Sequence, residues 1–196
     1  MKNQIEIAKV EFVKKYNNEK SVERALSRAL NASVQHNSLY APSVSMTERK
    51  AVRKAWIEKL VELSKEYQNG ADIETFHAQV LELRDYMNRN FSEYFRNDVH
   101  PKYGYNPGFR ISHAQKSLSV FLKHLWCMGM IDTPPICPVD RVILEKIGKK
   151  GKSAAWGYVN TMEEHKEKLG FIFSHIQKTN NPNVAVAVWE LLEFPN

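Results

Sequence analysis

The sequence predicts an all-α fold of about eight helices, and three observations carry that prediction. Apolar residues recur at three- and four-residue spacing in nearly every segment. Boxes of the form S/T-x-x-E/Q stand at Ser45–Glu48, Ser112–Gln115 and Thr161–Glu164, each ahead of an apolar run. No segment keeps the period-two alternation of a half-buried strand. Asn183–Val188 alternates Val and Ala, but Trp189-Glu190-Leu191-Leu192 extends it as a helix.

The elements follow in order. Ile5, Ala8, Phe12, Val13 and Tyr16 stripe a first helix that Asn17-Asn18 ends, and Val22, Ala25, Leu26, Ala29 and Leu30 stripe a second. Ala32–Ser45 is a polar loop whose Gln35, His36, Asn37 and Tyr40 are placed to meet bases or sugars, or serve only as a connection. The Ser45 box opens a long helix with Val52, Trp56, Leu60, Leu63 and Tyr67 inward and Gly70 at its end. Its Arg49, Lys50, Arg53 and Lys54 read as a solvated face, with phosphate contact as the alternative. Asp72 caps a fourth helix through Phe76, Val80, Leu83 and Met87, and Arg96–Gly108 is a loop.

A helix starting at Ser112 then carries Leu118, Phe121, Leu122, Leu125 and Trp126 as far as Gly129. Pro134 and Pro135 break the chain, and Pro138 opens a sixth helix that Gly148 stops. Thr161 caps a seventh with Leu169, Ile172, Phe173 and Ile176, and Asn181-Pro182 opens a last one over Val184–Leu192.

At 196 residues the chain is expected to be one domain, divisible into lobes 1–100 and 101–196. Two cysteines exclude a disulfide scaffold and point to a reducing, cytoplasmic setting. The opening MKNQIEIAKVEF mixes charge with apolar residues and reads as no signal peptide. No run of about 18 apolar residues predicts a membrane span. A net charge of +6 is compatible with nucleic acid without being diagnostic of it.

Chemistry concentrates in Ser112–Leu144. Lys116 is expected in the first turn of one helix and Asp140 in the first turn of the next. The positive end of a helix dipole opposes a cation and favours a carboxylate. An amine freed of its proton is a nucleophile, and an amine facing a fixed carboxylate suits attack on a sugar carbon where positive charge develops. Taken alone, a single Lys and a single Asp read first as a surface lysine and a helix cap.

Lys116 opening an apolar helix, followed by Pro138-Val139-Asp140-Arg141-Val142 opening the next, resembles the helix-hairpin-helix DNA glycosylases, and among them the archaeal 8-oxoguanine glycosylases. The resemblance runs from Asn106 to Leu144. It implies a helical bundle with a cleft between two lobes, Lys116 as nucleophile and Asp140 as catalytic carboxylate. Double-stranded DNA is the implied partner, one base being taken out of its stack. His113, Gln115, Trp126 and Arg141 would line the pocket or hold phosphate. Gly108 is the single glycine of Tyr105–Arg110, where the family's hairpin has two or more. The four-cysteine iron–sulfur site of some members is impossible with Cys127 and Cys137 alone, and no cofactor or metal is expected. The base is either an oxidised purine such as 8-oxoguanine or a bulky modified pyrimidine such as a phage's glucosylated hydroxymethylcytosine. A monomer is expected.

Further residues bear on the same reading. Lys146, Lys149, Lys150 and Lys152 crowd a glycine-containing loop without an acid, a second candidate for phosphate. Trp156 just beyond it could stack on a base or pack in the core. Lys123 lies two turns beyond Lys116 on nearly the same face, near His124 and Cys127, and is the alternative amine. His113 and His124 are too far apart along a helix to share a metal. Arg96–His100 falls one residue short of the R-x(4–6)-H pattern of HEPN ribonucleases, a competing enzyme class. A helical DNA- or protein-binding module without catalysis is the third.

Overall fold

A computed structural model describes residues 1–35, 39–99, 108–179 and 181–194. Its eight helices are α1 (Lys2–Tyr16), α2 (Val22–Val34), α3 (Met46–Ser64), α4 (Ile73–Phe91), α5 (Ile111–Cys127), α6 (Arg141–Lys146), α7 (Met162–Ile176) and α8 (Val186–Glu193). There is no strand among the described residues; Tyr40 and Phe95 make one isolated antiparallel bridge. No helix among them is long and apolar enough to cross a membrane.

Local chemistry sets most of the boundaries. Ser21, Ser45, Asp72, Asp140 and Thr161 cap their helices through side-chain oxygens that accept an N–H three residues on. Each cap satisfies a backbone donor that the helix leaves open. The boxes at Ser45–Glu48 and Thr161–Glu164 are both closed. The one expected at Ser112–Gln115 is not: the cap lies two residues earlier, at Arg110, with His113 Nδ1 accepting the Arg110 N–H at 3.1 Å. Ser112 and Gln115 lie inside the helix and bond to other parts of the chain. The last helix begins at Val186, two residues later than expected.

The bundle is built around α5. Every residue of that helix except Val120 is buried, with α1, α2, α3, α4 and α7 packed against it. A helix enclosed on all sides is ordinarily apolar all round. This one also carries Ser112, His113, Gln115, Lys116, Ser117, Ser119, Lys123 and His124, and most of these polar groups have found partners, as burial demands. The Ser117 and Ser119 hydroxyls donate back to the carbonyls of His113 and Gln115, and Trp56 Nε1 donates to Ser117 Oγ at 3.1 Å. Small residues Ala25, Ala29 and Ser33 lie on the buried face of α2, which runs against α5.

The apolar core divides into two clusters, and α5 contributes to both. The larger takes in Trp56, Tyr67, Phe76, Phe95 and Phe109, with Trp56 and Phe109 packed edge to face at 4.7 Å. The smaller joins Phe12 and Val13 of α1 to Trp126 and Cys127 at the end of α5, and to Ala187, Val188 and Leu191 of α8.

Candidate active site

The clearest device on α5 is a clamp. Gln115 Nε2 donates to the Val139 carbonyl at 2.9 Å, and the Val139 N–H donates back to Gln115 Oε1 at 3.3 Å. One side chain thereby pins the backbone of the segment leading into α6. The next residue on each side is a functional candidate, Lys116 after Gln115 and Asp140 after Val139. The clamp sets them face to face, with Lys116 Nζ 2.6 Å from Asp140 Oδ2. The other carboxylate oxygen, Oδ1, accepts the Ile143 N–H at 2.9 Å and caps α6.

Asp140 is therefore the cap residue of α6 and not a member of its first turn. Lys116 is the sixth residue of α5, past the first turn where a helix dipole acts. The dipole argument for this lysine therefore lapses, and what acts on the amine is the carboxylate. The amine also stands 5.5 Å from the centre of the Trp156 ring. Ser112 Oγ and Arg110 Nε hold that stretch by donating to the Gly157 carbonyl at 2.9 and 3.3 Å.

Lys116 and Asp140 lie in the lining of a cleft of about 1520 Å³. Arg24, Arg28 and Asn31 of α2 line it, as do Pro138, Arg141 and Trp156. Lys123 and His124 line it farther along α5, together with Glu190 of α8. Lys123 Nζ lies 2.7 Å from Glu190 and 4.7 Å from the centre of the Phe12 ring. Glu190 carried no signal in the sequence: its partner is 67 residues away, on a different helix.

Burial, reinforced by Arg28, Lys123 and Arg24, pushes the His124 imidazole down to about 4, so the ring is neutral at pH 7. Its Nδ1 has no partner among the described residues. Burial pushes the Cys127 thiol up to about 12, which removes it as a nucleophile. The polar face of α5 is thus no solvent face: Lys116, Lys123, His124 and Cys127 are all buried.

The other expected site residues divide. Arg141 and Trp156 line the cleft, and Gln35 does as well. Gln115 acts as the clamp rather than as a pocket wall. His113 is fully buried against Phe109 and does not line the cleft. Trp126 is away from it too, packed in the smaller cluster with Lys9 Nζ 5.0 Å from its ring centre. Its apolar bulk on the α1 side of α5 is what draws it there.

Gly108 has φ +88°, and a Cβ there would stand 3.0 Å from Asn88 Oδ1. Asn88 uses both ends of its amide to hold Phe109, so a side chain at 108 would disturb the entry to α5. Of the hairpin stretch, 105–107 lies outside the described residues, as do His36, Asn37 and His100.

In the lysine loop, Lys146 Nζ donates to the Glu193 carbonyl, 4.4 Å from the centre of the Phe194 ring. Lys149 sits 3.8 Å above the Phe171 ring. Lys150 and Lys152 are exposed.

No family model matches the chain, and no curated protein or solved structure matches it.

Proposed function

We propose that the chain is a DNA glycosylase with associated lyase activity, using Lys116 as nucleophile and Asp140 as its carboxylate partner. One observation carries the reading. Two residues 24 positions apart, one inside α5 and one capping α6, meet at 2.6 Å inside a cleft, with an aromatic ring beside them. A nucleotide turned out of its duplex would enter this cleft, its base against Trp156. As the bond from C1′ to the base breaks, positive charge grows on the sugar, and the Asp140 carboxylate stabilises it. The Lys116 ammonium gives one proton through Asp140 to the departing base, which leaves with the electron pair of the broken bond, and the freed amine forms the new bond to C1′. Opening of the sugar ring then leaves a Schiff base on Nζ, from which the 3′ phosphate can be eliminated.

Borohydride trapping on a panel of modified duplexes, with released bases read by mass spectrometry, tests the reading. A covalent adduct at Lys116 supports it. Base release without an adduct transfers the attack to a water activated by Asp140. Neither release nor adduct on any duplex leaves a helical binding module as the better account.

A further inference from the structure

We infer that Arg24, Arg28 and Arg53 form a phosphate track along α2 that holds the DNA strand feeding the cleft; this rests on the chain acting on DNA. The charges of the cleft lining show why. Its acids are Asp140, Glu145 and Glu190, and each is matched by a cation, respectively Lys116, Arg141 and Lys123. That leaves Arg24 and Arg28, which line the cleft from α2 and meet no carboxylate among the described residues.

Both are held in place by neutral groups. Arg24 Nε donates to the Tyr16 carbonyl at 3.2 Å, and the Arg28 guanidinium lies 5.2 Å from the centre of the Tyr16 ring. Arg53 on α3 continues the row, donating to Asn31 Oδ1 at 3.2 Å, and Asn31 is itself a lining residue. It too meets no carboxylate among the described residues. Both arginines on α2 depress the protonation of buried His124, so their field reaches into the cleft.

Residues 24, 28 and 31 are successive on one helical face. At 1.5 Å per residue they span about 10 Å. One DNA strand places a phosphate about every 3.4 Å of helix axis, so the row matches about three phosphates. A guanidinium binds phosphate oxygens through two parallel N–H donors, and arginine carries that geometry where lysine does not. Among the loop lysines, by contrast, Lys146 and Lys149 are already engaged with α8 and α7.

The test is duplex binding across a salt series, with the full-length protein and Arg24→Gln/Arg28→Gln/Arg53→Gln. Loss of three phosphate contacts should lower the slope of log K against log salt by about 2 to 3. Arg→Lys at the same positions should keep most of the slope and lose affinity. Circular dichroism on both variants separates a lost contact from a lost fold. An unchanged slope in the glutamine variant overturns the track, as does an equal or larger drop from Lys150→Gln/Lys152→Gln alone. The two readings can fail separately. If the slope stays and the adduct at Lys116 forms, the track is wrong and the glycosylase stands. If the slope falls and no modified duplex releases a base, the track stands and the chemistry is wrong. A wild-type protein that binds no DNA ends both.

Discussion

Two lysines project from α5 seven residues apart, and each meets a carboxylate at bonding distance, yet the two pairs are not alike. Lys123 and Glu190 line the same cleft farther along α5, but both side chains are nearly covered, 11% and 8% exposed. Lys116 is as deeply set at 8%, but its partner Asp140 is 25% exposed. Asp140 also divides its oxygens between an amine and a helix N–H, while Glu190 has one partner side chain. A buried pair closed on both sides contributes mainly by not being broken. A pair with one partner open to a cleft is accessible to a substrate. The same interaction type, placed two turns apart, is thus suited to chemistry at one end and to holding α8 on α5 at the other.

The largest expected effect tests the open pair. Lys116→Gln should abolish the borohydride adduct and slow base release about a thousandfold or more, equivalent to about 4 kcal/mol. Glutamine keeps the helix propensity, so the fold should survive. An adduct that instead disappears with Lys123→Gln and persists in Lys116→Gln would reverse the assignment of the two pairs.

The closed pair should speak through stability. Lys123→Met strands a buried carboxylate and is expected to cost about 3–5 kcal/mol. In a chain of this size that lowers Tm by about 10 °C, at 2–4 °C per kcal/mol. Adding Glu190→Leu removes the stranded charge and should restore most of the loss. A double variant no better than the single would mean that Glu190 is held by more than Lys123.

Acid provides the next test, through the histidine beside the closed pair. His124 is pushed down to about 4, first by burial and then by Arg28, Lys123 and Arg24. The unfolded chain therefore binds a proton between about pH 6.5 and 4 that the folded chain refuses. The stability this group contributes is complete above about 6.5, falls as pH drops and is gone below about 4, a loss of about 3 kcal/mol. His165, buried and pushed down to about 3, adds a fall of the same sign that reaches further into acid. Melting curves from pH 7.5 to 4 should show His124→Met losing less than the wild type; equal losses would assign the acid response elsewhere.

What was legible in the sequence follows the range of the forces involved. Helices and caps are local, and the Ser45, Asp72 and Thr161 starts could be read from a few residues. The Ser112 box failed because a helix start depends on which N–H groups the fold leaves open, and α5 begins where Asn88 pins Phe109. The approach of Lys116 to Asp140 was expected only through the resemblance to a known family, since either residue alone reads as a surface lysine or a cap. The Gln115 clamp behind it was not, because an amide bonding a backbone 24 residues away leaves no periodic signature. Trp126 misled for a related reason: a large apolar ring near a candidate lysine is drawn to whichever cluster forms beside it, here that of α1 and α8.

The clamp gives a smaller and more discriminating effect. Gln115→Met leaves the buried Val139 N–H and carbonyl without their partner, at a cost of about 1–3 kcal/mol. It touches no reacting atom, so it should slow base release only through a displaced Asp140, by about ten- to a hundredfold. The double variant with Asp140→Asn should then be no slower than Asp140→Asn alone. Additive losses would give Gln115 a role in the pocket of its own.

The smallest expected change in stability belongs to Asp140, and it sharpens the contrast with Glu190 most directly. Asn caps a helix about as well as Asp, so Asp140→Asn keeps the bond from the Ile143 N–H. The ion pair it gives up has a quarter-exposed carboxylate at the cleft, where the asparagine oxygen still faces the amine, so the loss is expected near that of solvent-accessible pairs, about 0–1 kcal/mol. Tm should therefore move by no more than about 2–4 °C. Asp140→Ala removes the cap as well and should cost about 1 kcal/mol more. Base release should be lost in both, since neither side chain can hold negative charge beside C1′ or take the proton from Lys116. If Asp140→Asn instead keeps full activity, the residue is a cap and the open pair has no chemical role. If it melts as early as Lys123→Met, the pair is structural, and the two ends of α5 do the same work.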